Sequence, residues 1–546
     1  MKISLLISSV FCICFANCKV EWRGDAVPAD SVWQINHSAI IKMEDICVDP
    51  PTPELHASSI EETPAGLVAA WFGGTKEKEP DVGIWLSREE NGQWTAPVEV
   101  ITGMTTLPDS SEVQYPCWNP VLYQIPDGGP LLLFYKVGPS SPEWWGMLMR
   151  STDNGKTWST PERLPEGIYG PIKNKPVRIG ETSILSPSSI QSRLHFERSD
   201  DWGETWTRTP SVTDGSIPVI QPSILFYGNN KLQAVGRAGI DKRVFSIWSD
   251  DGGTTWRDFK LLDVPNPHSG NDAVTLQDGR QLMVYNHTET ARTPLNVAIS
   301  EDGETWYPLL VLENDKEGGY SYPAVIQTND GLVHIVYSWR RKNIRHVILD
   351  PQLIQGKPLV SWNFDTEGVV GDETTSSATY VHNDLETSIL SRGPGLVPQK
   401  ATASFASSSP IYADLSSAES AGAFYEFSVK GKPGKTIALS SVGVILRIQN
   451  DAPKNYVWKY SMDGSDFKTI GEPVVVSSGF NDNNGLQQPQ LELHSIGELQ
   501  HISPGTPVVF RLYMWGGTSG TANNGFRIGK SNALTSALVI NGEIDE

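Results

Sequence analysis

One eight-residue turn motif recurs along this chain and limits what it can fold into. Full copies read STDNGKTW (151–158), SDDWGETW (199–206) and SDDGGTTW (249–256), with a shortened SEDGETW at 300–306 and a degenerate SREENGQW at 87–94. The tryptophans that end the last four copies are spaced by 48, 50 and 50 residues. A fixed repeat near this length is typical of a propeller or a solenoid built from similar units.

The residues of the motif explain its role as a turn. Asp and Ser side chains bond backbone amides in tight turns, Gly supplies a positive φ, and Trp packs beneath the turn as the chain re-enters a strand. Apolar stretches precede each copy, for example GLVAAWFGG and VGIWLSR, as expected of four-stranded antiparallel units. A sixth unit, from YPAVIQTNDGLVHIVYSWRR onwards, has the strands without the turn. We therefore predict six blades over residues 40–352.

The rest of the chain also indicates strands and turns. The 546 residues include 49 Gly, 38 Pro and 18 Trp, a composition typical of all-β proteins when long helical periods are absent. Residues 358–546 are rich in Ser, Gly and Thr and predict a β-sandwich, either a carbohydrate-binding module or a spacer. The predicted fold is all-β: a six-bladed β-propeller followed by a C-terminal β-sandwich.

The amino terminus predicts export. Residues 1–18 carry a lysine and then a short apolar stretch, which fits a secretory signal peptide. Cys18 is a candidate lipidation site, so we expect a secreted, periplasmic or cell-surface protein, attached to a membrane only through that residue if at all. Export permits a bridge between Cys47 and Cys117, with two buried free thiols as the alternative.

Charge limits the partners that we expect. The net charge of −20 repels the phosphates of nucleic acid, whereas a pocket with local arginines can still hold an acidic sugar. The Cys and His spacings match no metal site, so we expect neither a metal nor another cofactor. The sequence gives no prediction of the oligomeric state.

The repeated turn resembles the Asp box of the sialidase superfamily. This resemblance implies a six-bladed propeller with a site at its mouth, where three arginines bind the substrate carboxylate. A tyrosine with a glutamate partner is the expected nucleophile, and an aspartate is the expected acid and base. Because propellers of other functions share the turn, each site residue has to be argued separately.

Two arginines and a tyrosine match that site. Arg237 in AVGRAG and Arg292 in HTETARTPL match carboxylate-binding arginines, since guanidinium groups bind carboxylates through paired, charge-assisted hydrogen bonds. Tyr320 in GGYSYPAV matches the nucleophile, with Tyr322 as its competitor. A phenol suits this chemistry because a neutral nucleophile is not repelled by the substrate carboxylate.

The expected acid and base is a loop carboxylate. Asp81 in EKEPDVG matches the family aspartate, and Glu77 and Glu79 are neighbouring alternatives. A solvated loop carboxylate without a catalytic role is the simpler interpretation of each.

The sequence departs from the family at three places. His56-Ala57-Ser58 stands where the family has Arg-Ile-Pro, so one of the three arginines is absent. Ser338 replaces the glutamate that would hold that arginine, and Gln221 replaces the glutamate that activates the tyrosine. A neutral amide cannot accept the tyrosine proton, so the usual retaining mechanism is in doubt.

Other groups are candidates to replace the missing base. His56, His287 and His268 have a side chain whose pKa normally suits proton transfer, and Asp272 is a further carboxylate. If one of them activates water opposite Asp81, the reaction inverts the anomeric centre, because an inverting site leaves room for that water.

Aromatic and basic residues complete the predicted mouth. We expect Trp118, with Trp144 and Trp145, to stack on sugar faces or to pack within the blade. Lys136 and Lys173, with Lys175, are expected to bind carboxylate or hydroxyl groups in place of the missing arginine.

Three functions fit this sequence. The favoured hypothesis is an exo-acting glycoside hydrolase that releases terminal sialic acid from glycans by a non-standard mechanism. The first alternative is a lyase or hydrolase for uronate-containing polysaccharide, because arginines with His and Tyr also suit proton abstraction beside a carboxylate. The second is a non-catalytic propeller that binds glycans.

Overall fold

The computed structural model describes residues 39–545 except 108, 316, 355–356, 365–369, 477–478, 480–484, 489 and 530–535. The predicted signal, with Cys18, lies outside the described residues and stays a prediction. Strands form nearly all regular structure in the described part, which holds one α-helix and two 3-10 helices. The prediction of an all-β chain is therefore confirmed. None of the helices described is long and apolar enough to span a membrane.

Residues 40–349 form six antiparallel sheets that follow one another along the chain. In chain order their strands are β1 (Ile40–Asp45); β2 (Glu54–Thr63), β3 (Gly66–Gly74), β4 (Gly83–Glu90), β5 (Gln93–Trp94) and β6 (Val98–Ile101) of the first sheet; β7 (Met104–Thr106) and β8 (Glu112–Gln114) of a separate hairpin; β9 (Cys117–Gln124), β10 (Leu131–Val137), β11 (Trp145–Ser151) and β12 (Glu162–Arg163) of the second; β13 (Val177–Arg178), β14 (Ile184–Ile190), β15 (Arg193–Ser199) and β16 (Thr207–Arg208) of the third; β17 (Val219–Phe226), β18 (Leu232–Ala238), β19 (Arg243–Ser249) and β20 (Arg257–Pro265) of the fourth; β21 (Asp272–Thr275), β22 (Gln281–Tyr285), β23 (Leu295–Ser300) and β24 (Tyr307–Glu313) of the fifth; and β25 (Tyr320–Gln327), β26 (Val333–Trp339) and β27 (Asn343–Leu349) of the sixth.

The first strand of the chain completes the last sheet. β1 pairs with β27, so the order of the sixth sheet is β1-β27-β26-β25. Six apolar clusters each join two consecutive sheets; Phe72 and Leu122 share one between the first and second sheets. Trp71 and Val336 share another, which joins the first sheet to the sixth. A closed ring of sheets requires such contacts, although the six-bladed propeller itself stays a prediction.

The repeated turns form through the bonds that the sequence predicts. In the copy that ends at Trp256, the Ser249 hydroxyl donates to Asp251 Oδ1 (2.9 Å) and accepts the Gly253 amide (2.9 Å). Asp251 also accepts the Thr255 amide at 2.8 Å, and the Trp256 indole donates to the Gly253 carbonyl at 3.0 Å. Gly253 has φ +88°, a conformation that glycine adopts at low cost.

The chain after residue 350 forms two larger antiparallel sheets around one apolar core. Their strands are β28 (Lys357–Trp362), β29 (Thr375–Ser377), β30 (Tyr380–Val381), β31 (Ile389–Arg392), β32 (Val397–Pro398), β33 (Ser404–Ser408), β34 (Phe424–Lys430), β35 (Thr436–Ile448), β36 (Asn455–Ser461), β37 (Lys468–Val475), β38 (Leu486–Gln487), β39 (Leu491–Glu492), β40 (Pro507–Trp515), β41 (Gly525–Gly529) and β42 (Leu538–Asp545), with the helix α1 (Leu415–Ala421) and the 3-10 helices Pro351–Leu353 and Gly497–Leu499. That residues 358–546 are a carbohydrate-binding β-sandwich stays a prediction.

Cys47 and Cys117 are both buried free thiols, so the alternative of a disulfide bridge is not realised. Burial, together with the charge of Asp45, raises the pKa of Cys47 to about 12, and burial also raises the pKa of Cys117. Thiols held in the protonated form are poor nucleophiles. Among the described residues no group of three His, Cys, Asp or Glu side chains is placed to hold a metal ion.

Replacing Ser249 by Ala tests the role of the turns. The Ser249 side chain is fully buried, and its loss leaves the buried Gly253 amide without an acceptor. We expect S249A to lower the free energy of unfolding by roughly 1–3 kcal/mol, measured by urea denaturation. The matched control is T254A, which removes an exposed hydroxyl from the same turn. Equal losses in the two variants would contradict a structural role for the serine.

Candidate functional site

A bulge at the same place in four sheets positions the site. In β2, β9, β17 and β25 two residues oppose one residue of the next strand. The first residue of each pair has a positive φ: Ala57, Asn119, Gln221 and Tyr322, at +55°, +40°, +57° and +54°. A bulge changes the direction in which the side chain points. Gln221 and Tyr322 therefore depart from the regular alternation of their strands.

Tyr322 is the centre of a group of charged and aromatic side chains. Arg237 Nη2 donates to the Tyr322 hydroxyl at 2.8 Å. The Arg292 guanidinium carbon lies 5.6 Å from the centre of the Tyr322 ring, and the His56 ring lies 4.3 Å from it, centre to centre. We call Tyr322, Arg237, Arg292 and His56 the Tyr322 cluster. The two arginines predicted from the resemblance thus meet at one tyrosine.

Each arginine is fixed by a further bond. Arg237 lies on β18, is only 5% exposed, and donates from Nη1 to the His268 carbonyl at 2.6 Å. Arg292 lies between β22 and β23 and donates to the Ser321 hydroxyl at 3.3 Å. Burial lowers the pKa of Arg292, and the positive charge of Arg237 adds to that shift. Two guanidinium groups in one field attract an anion strongly.

His56 and His268 are held in the neutral form. His56 Nδ1 lies 2.8 Å from the Ser338 hydroxyl, in the place where the resemblance led us to expect an arginine and its glutamate. Burial, followed by the charges of the nearby arginines, holds the pKa of His56 well below its usual value. Burial and the charges of Arg237 and Arg292 lower the pKa of His268 to about 4. Neither ring is therefore an acid at neutral pH.

Gln221 lies beside Arg237, because its neighbour Ile220 pairs directly with that arginine. The Gln221 amide oxygen is buried and has no hydrogen-bond partner among the described residues. Arg237 Nε and His268 Nδ1 are likewise buried without a partner in the described part of the chain. Buried polar atoms are normally satisfied by protein, water or ligand. Their concentration around Arg237 marks this place as a candidate binding site.

Tyr320 lies outside the Tyr322 cluster. Its hydroxyl donates to the Asp315 carboxylate and accepts from Arg340 Nη2 at 3.2 Å. Burial raises the pKa of Tyr320, and the nearby carboxylates add to that shift. The structure therefore brings Tyr322, rather than Tyr320, to the two arginines.

Asp81 is also directed away from the cluster. It is exposed, and one of its oxygens accepts both the amide (2.9 Å) and the hydroxyl of Thr75. After partial burial, its charge is the next cause that raises the pKa of Glu99 on β6, an outer strand of the first sheet. Its neighbour Glu77 instead binds Arg341 at 2.6 Å, and the negative charge of Glu77 opposes the lowering of the Arg292 pKa. Of the loop carboxylates, Glu77 is thus the one linked to the cluster.

The buried Lys173 does not fit a role in substrate binding. Its ammonium group donates to the carbonyls of Asn271 (2.6 Å) and Pro323 (2.5 Å) and to Asn174 Oδ1 (2.7 Å). An ammonium has three protons to donate, and all are engaged within the protein. Burial lowers the pKa of Lys173 to about 7. We correct its assignment to a structural role.

Lys136 and Trp118, which pair across β9 and β10, are also buried. The Lys136 ammonium donates to the Pro171 carbonyl, and burial lowers its pKa to about 7. The Trp118 indole donates to the Gly138 carbonyl at 2.9 Å, and its ring packs against that of Trp144 at 5.7 Å. These contacts correct the assignment of both side chains as substrate ligands.

His287 and Asp272 are engaged within the protein as well. His287 is buried, and its Nδ1 is hydrogen-bonded to the Tyr285 hydroxyl. One oxygen of Asp272 accepts the Val325 amide at 2.9 Å and the Lys175 ammonium at 3.0 Å. The other accepts a hydroxyl and an amide. Both oxygens of Asp272 are thus occupied by donors of the protein.

The sequence reasoning missed Arg341. This arginine pairs with Glu54 at 3.4 Å and with Glu77 at 2.6 Å. After burial, its charge is the largest of the charges that lower the pKa of His56. The dipeptide Arg340-Arg341, directly after β26, was the available signal. Adjacent arginines at the end of a blade strand could have been weighed as carboxylate ligands.

Comparison with known proteins agrees with the resemblance. Residues 65–335 match the family model for the BNR repeat-like domain. These residues are a BNR repeat-like domain, and the match supports membership of the chain in the BNR-repeat, or sialidase, superfamily. A sialidase of Bacteroides fragilis (strain YCH46) is 22% identical to this BNR-repeat protein over 206 residues, 33% of this chain. The match spans 37% of that relative, little more than a third of its length.

Solved structures of sialidases also match this BNR-repeat protein. The match to a sialidase from Streptococcus pneumoniae has a TM-score of 0.47 and 10% identity, and covers 57% of this chain and 71% of that one. The match to an intramolecular trans-sialidase from Ruminococcus gnavus has a TM-score of 0.46 and 14% identity, and covers 59% of this chain and 100% of that one.

The lowered pKa of His268 predicts a measurable pH effect. Because its folded pKa of about 4 lies below its unfolded value of 6.5, the unfolded chain binds the extra proton first. This group's contribution to stability is complete above pH 6.5 and declines as the pH falls towards 4. We expect the thermal midpoint to fall less between pH 7 and pH 5 in H268Q than in the wild type.

The matched control for this measurement is H501Q, since His501 is exposed. It should keep the pH dependence of the wild type. If the thermal midpoint of H268Q falls between pH 7 and pH 5 by as much as that of H501Q, His268 titrates normally in the folded protein.

Proposed function

We propose that the six sheets are the blades of a closed propeller. Lys173 precedes the third sheet, yet its ammonium binds the carbonyl of Asn271, directly before the fifth sheet, and that of Pro323, in the bulge of β25 in the sixth sheet. One group can reach sheets so separated in the chain only if they surround a common axis. The cyclic series of apolar clusters and the pairing of β1 with β27 support the same arrangement.

We propose that this protein is an exo-acting glycoside hydrolase that releases terminal sialic acid from glycans. The observation that carries the proposal is the convergence of Arg237 and Arg292 on Tyr322. The net charge is −20, so this positively charged cluster is a local feature that selects an anionic ligand. The sialidase relatives point to a sialidase-like glycoside hydrolase.

Tyr322 has the surroundings of a nucleophile on an anionic sugar. It is neutral as a phenol, so it is not repelled by a sugar carboxylate bound to the arginines. The bond from Arg237 to its hydroxyl oxygen would stabilise negative charge that develops there during attack. Gln221 cannot take its proton, which leaves neutral His56, a base weakened by burial, with its ring against that of Tyr322.

Exchange of Tyr322 for Phe tests this role. We expect Y322F to lower kcat for release of sialic acid from sialyl-lactose by roughly a hundredfold or more, because the attacking oxygen is gone. The comparison variant is Y320F, because the Tyr320 hydroxyl is bound to Asp315, away from Arg237 and Arg292. A wild-type enzyme that releases no sialic acid, or a Y320F variant as impaired as Y322F, would contradict the proposal.

The stereochemistry of the product tests the mechanism. Attack by Tyr322 forms a covalent intermediate, so the first sugar released should retain the anomeric configuration of the substrate. Proton NMR during the first turnovers measures this configuration. Inversion would instead indicate water activated by a base, the alternative that the sequence raised for His56, His268, His287 and Asp272.

One observation favours a second candidate, a lyase for uronate-containing polysaccharide. Tyr322 and neutral His56 lie beside arginines, and no carboxylate in the described part of the chain is bonded to Tyr322. Such a group can abstract a proton next to a carboxylate whose charge the arginines neutralise. The ultraviolet absorbance of an unsaturated uronate would identify this reaction. Binding without turnover would identify a non-catalytic glycan-binding protein.

A further inference from the structure

We propose that Arg341 is a third guanidinium of the anionic-sugar site, held by Glu77 and Glu54 in the free protein and transferred to the sugar carboxylate on binding. This inference rests on the proposed function. It also replaces the expectation that Lys136 and Lys173 stand in for the missing family arginine. The exchange breaks one ion pair and forms another, and the proton count is unchanged.

The backbone places Arg341 on the His56 side of the Tyr322 cluster. Arg341 follows β26 with φ +57°, and its carbonyl accepts the amide of Leu55, the residue before His56, at 3.0 Å. Ser338, three residues earlier, binds the His56 ring at 2.8 Å. The end of β26 and the start of β2 are therefore joined on both sides of His56.

The guanidinium of Arg341 is paired but accessible. Its Nη2 lies 2.6 Å from Glu77 Oε2 and its Nη1 lies 3.4 Å from Glu54 Oε2. The Arg341 side chain is 28% exposed and the Glu77 side chain 31%. A partly exposed ion pair contributes little net stability, so another carboxylate can replace Glu77 at small cost.

Glu77 belongs to a loop that can release it. The loop joins β3 to β4, and its other side-chain bonds, from Thr75 to Asp81, are internal. Its links to the rest of the site run through Glu77, whose amide also donates to Glu54 at 3.3 Å.

Charge interactions agree with this placement. Burial comes first among the causes that lower the pKa of His56, and the charges of Arg341, Arg292 and Arg237 follow in that order. The charge of Arg341 also helps to lower the pKa of Arg292, and the charge of Glu77 opposes that shift. Arg237, Arg292, Arg341 and Glu77 therefore lie in one electrostatic field, in which three positive charges outweigh one negative charge. An anionic sugar that displaces Glu77 meets three cations.

The neighbouring Arg340 provides a matched control. It pairs with Glu317 at 2.6 Å and with Asp315, and so resembles Arg341 in its number of carboxylate partners. Its guanidinium lies 5.9 Å from the Tyr320 ring, outside the Tyr322 cluster. Loss of either arginine removes one surface charge from the same turn, so the general effect of charge is the same.

The test measures binding of N-acetylneuraminic acid and of its methyl ester by calorimetry. We expect R341Q to weaken binding of the acid about tenfold or more, in line with loss of a charge-assisted bond, and to leave binding of the ester nearly unchanged. E77Q removes the competing carboxylate and should tighten binding of the acid several-fold. R340Q and E317Q should bind the acid as the wild type does.

R341Q and E77Q are expected to change the affinity for the acid in opposite directions, so the test separates the possible outcomes. If E77Q weakens binding as R341Q does, the pair is only structural and the inference is overturned, and E77Q decides this even if R341Q fails to fold. If R341Q binds the acid normally while R237Q does not, the inference fails and the proposed function stands. If R237Q and R292Q also bind normally, the proposed function itself fails.

Discussion

The buried ammonium group of Lys173 joins parts of the chain that are distant in sequence. Lys173 donates all three of its protons to oxygens within the protein, two of them the backbone carbonyls of Asn271, before β21, and of Pro323, in the bulge of β25. Burying a charge without partners would cost several kcal/mol, so the position of the three acceptors is strongly constrained. Because these acceptors are fixed around one ammonium group, side chains from β18, β25 and the loop after β22 can meet. The Tyr322 cluster depends on that convergence.

The bulges convert this convergence into a site. A non-glycine residue with positive φ costs about 1–2 kcal/mol, and the protein places one at the same register in four sheets, including Gln221 and Tyr322. The flanking strand pairs hold these residues in place. Strain that recurs at equivalent places, beside buried atoms without partners, is typical of a functional site rather than of a folding accident. The regular strands stabilise the fold, and the bulges set the directions in which the Gln221 and Tyr322 side chains point.

The sequence predicted the all-β chain and the two arginines, because both leave local signals. Turn residues at a fixed period reveal repeated strands, and the segments AVGRAG and HTETARTPL resemble those that carry the family's carboxylate-binding arginines. It could not separate Tyr320 from Tyr322, since residues two apart share a face in a regular strand, and the bulge that distinguishes them is set by the neighbouring strand. The buried bonds of Lys173 and the pairing of Arg341 with Glu77 depend on contacts distant in the chain.

The residues that depart from the family form a consistent set when charge is considered. The resemblance implies one carboxylate beside the tyrosine and another beside the missing arginine. Gln221 and Ser338 stand there, and His56 stays neutral between them. Removing two buried negative charges leaves the guanidinium groups less compensated, so the site holds an anion more strongly while the tyrosine loses its proton acceptor. Beside Arg341, Glu54 on β2 and Glu77 on the loop before β4 form ion pairs in contact with solvent. Of these two carboxylates, Glu77 is the one on a loop, where a ligand can displace it.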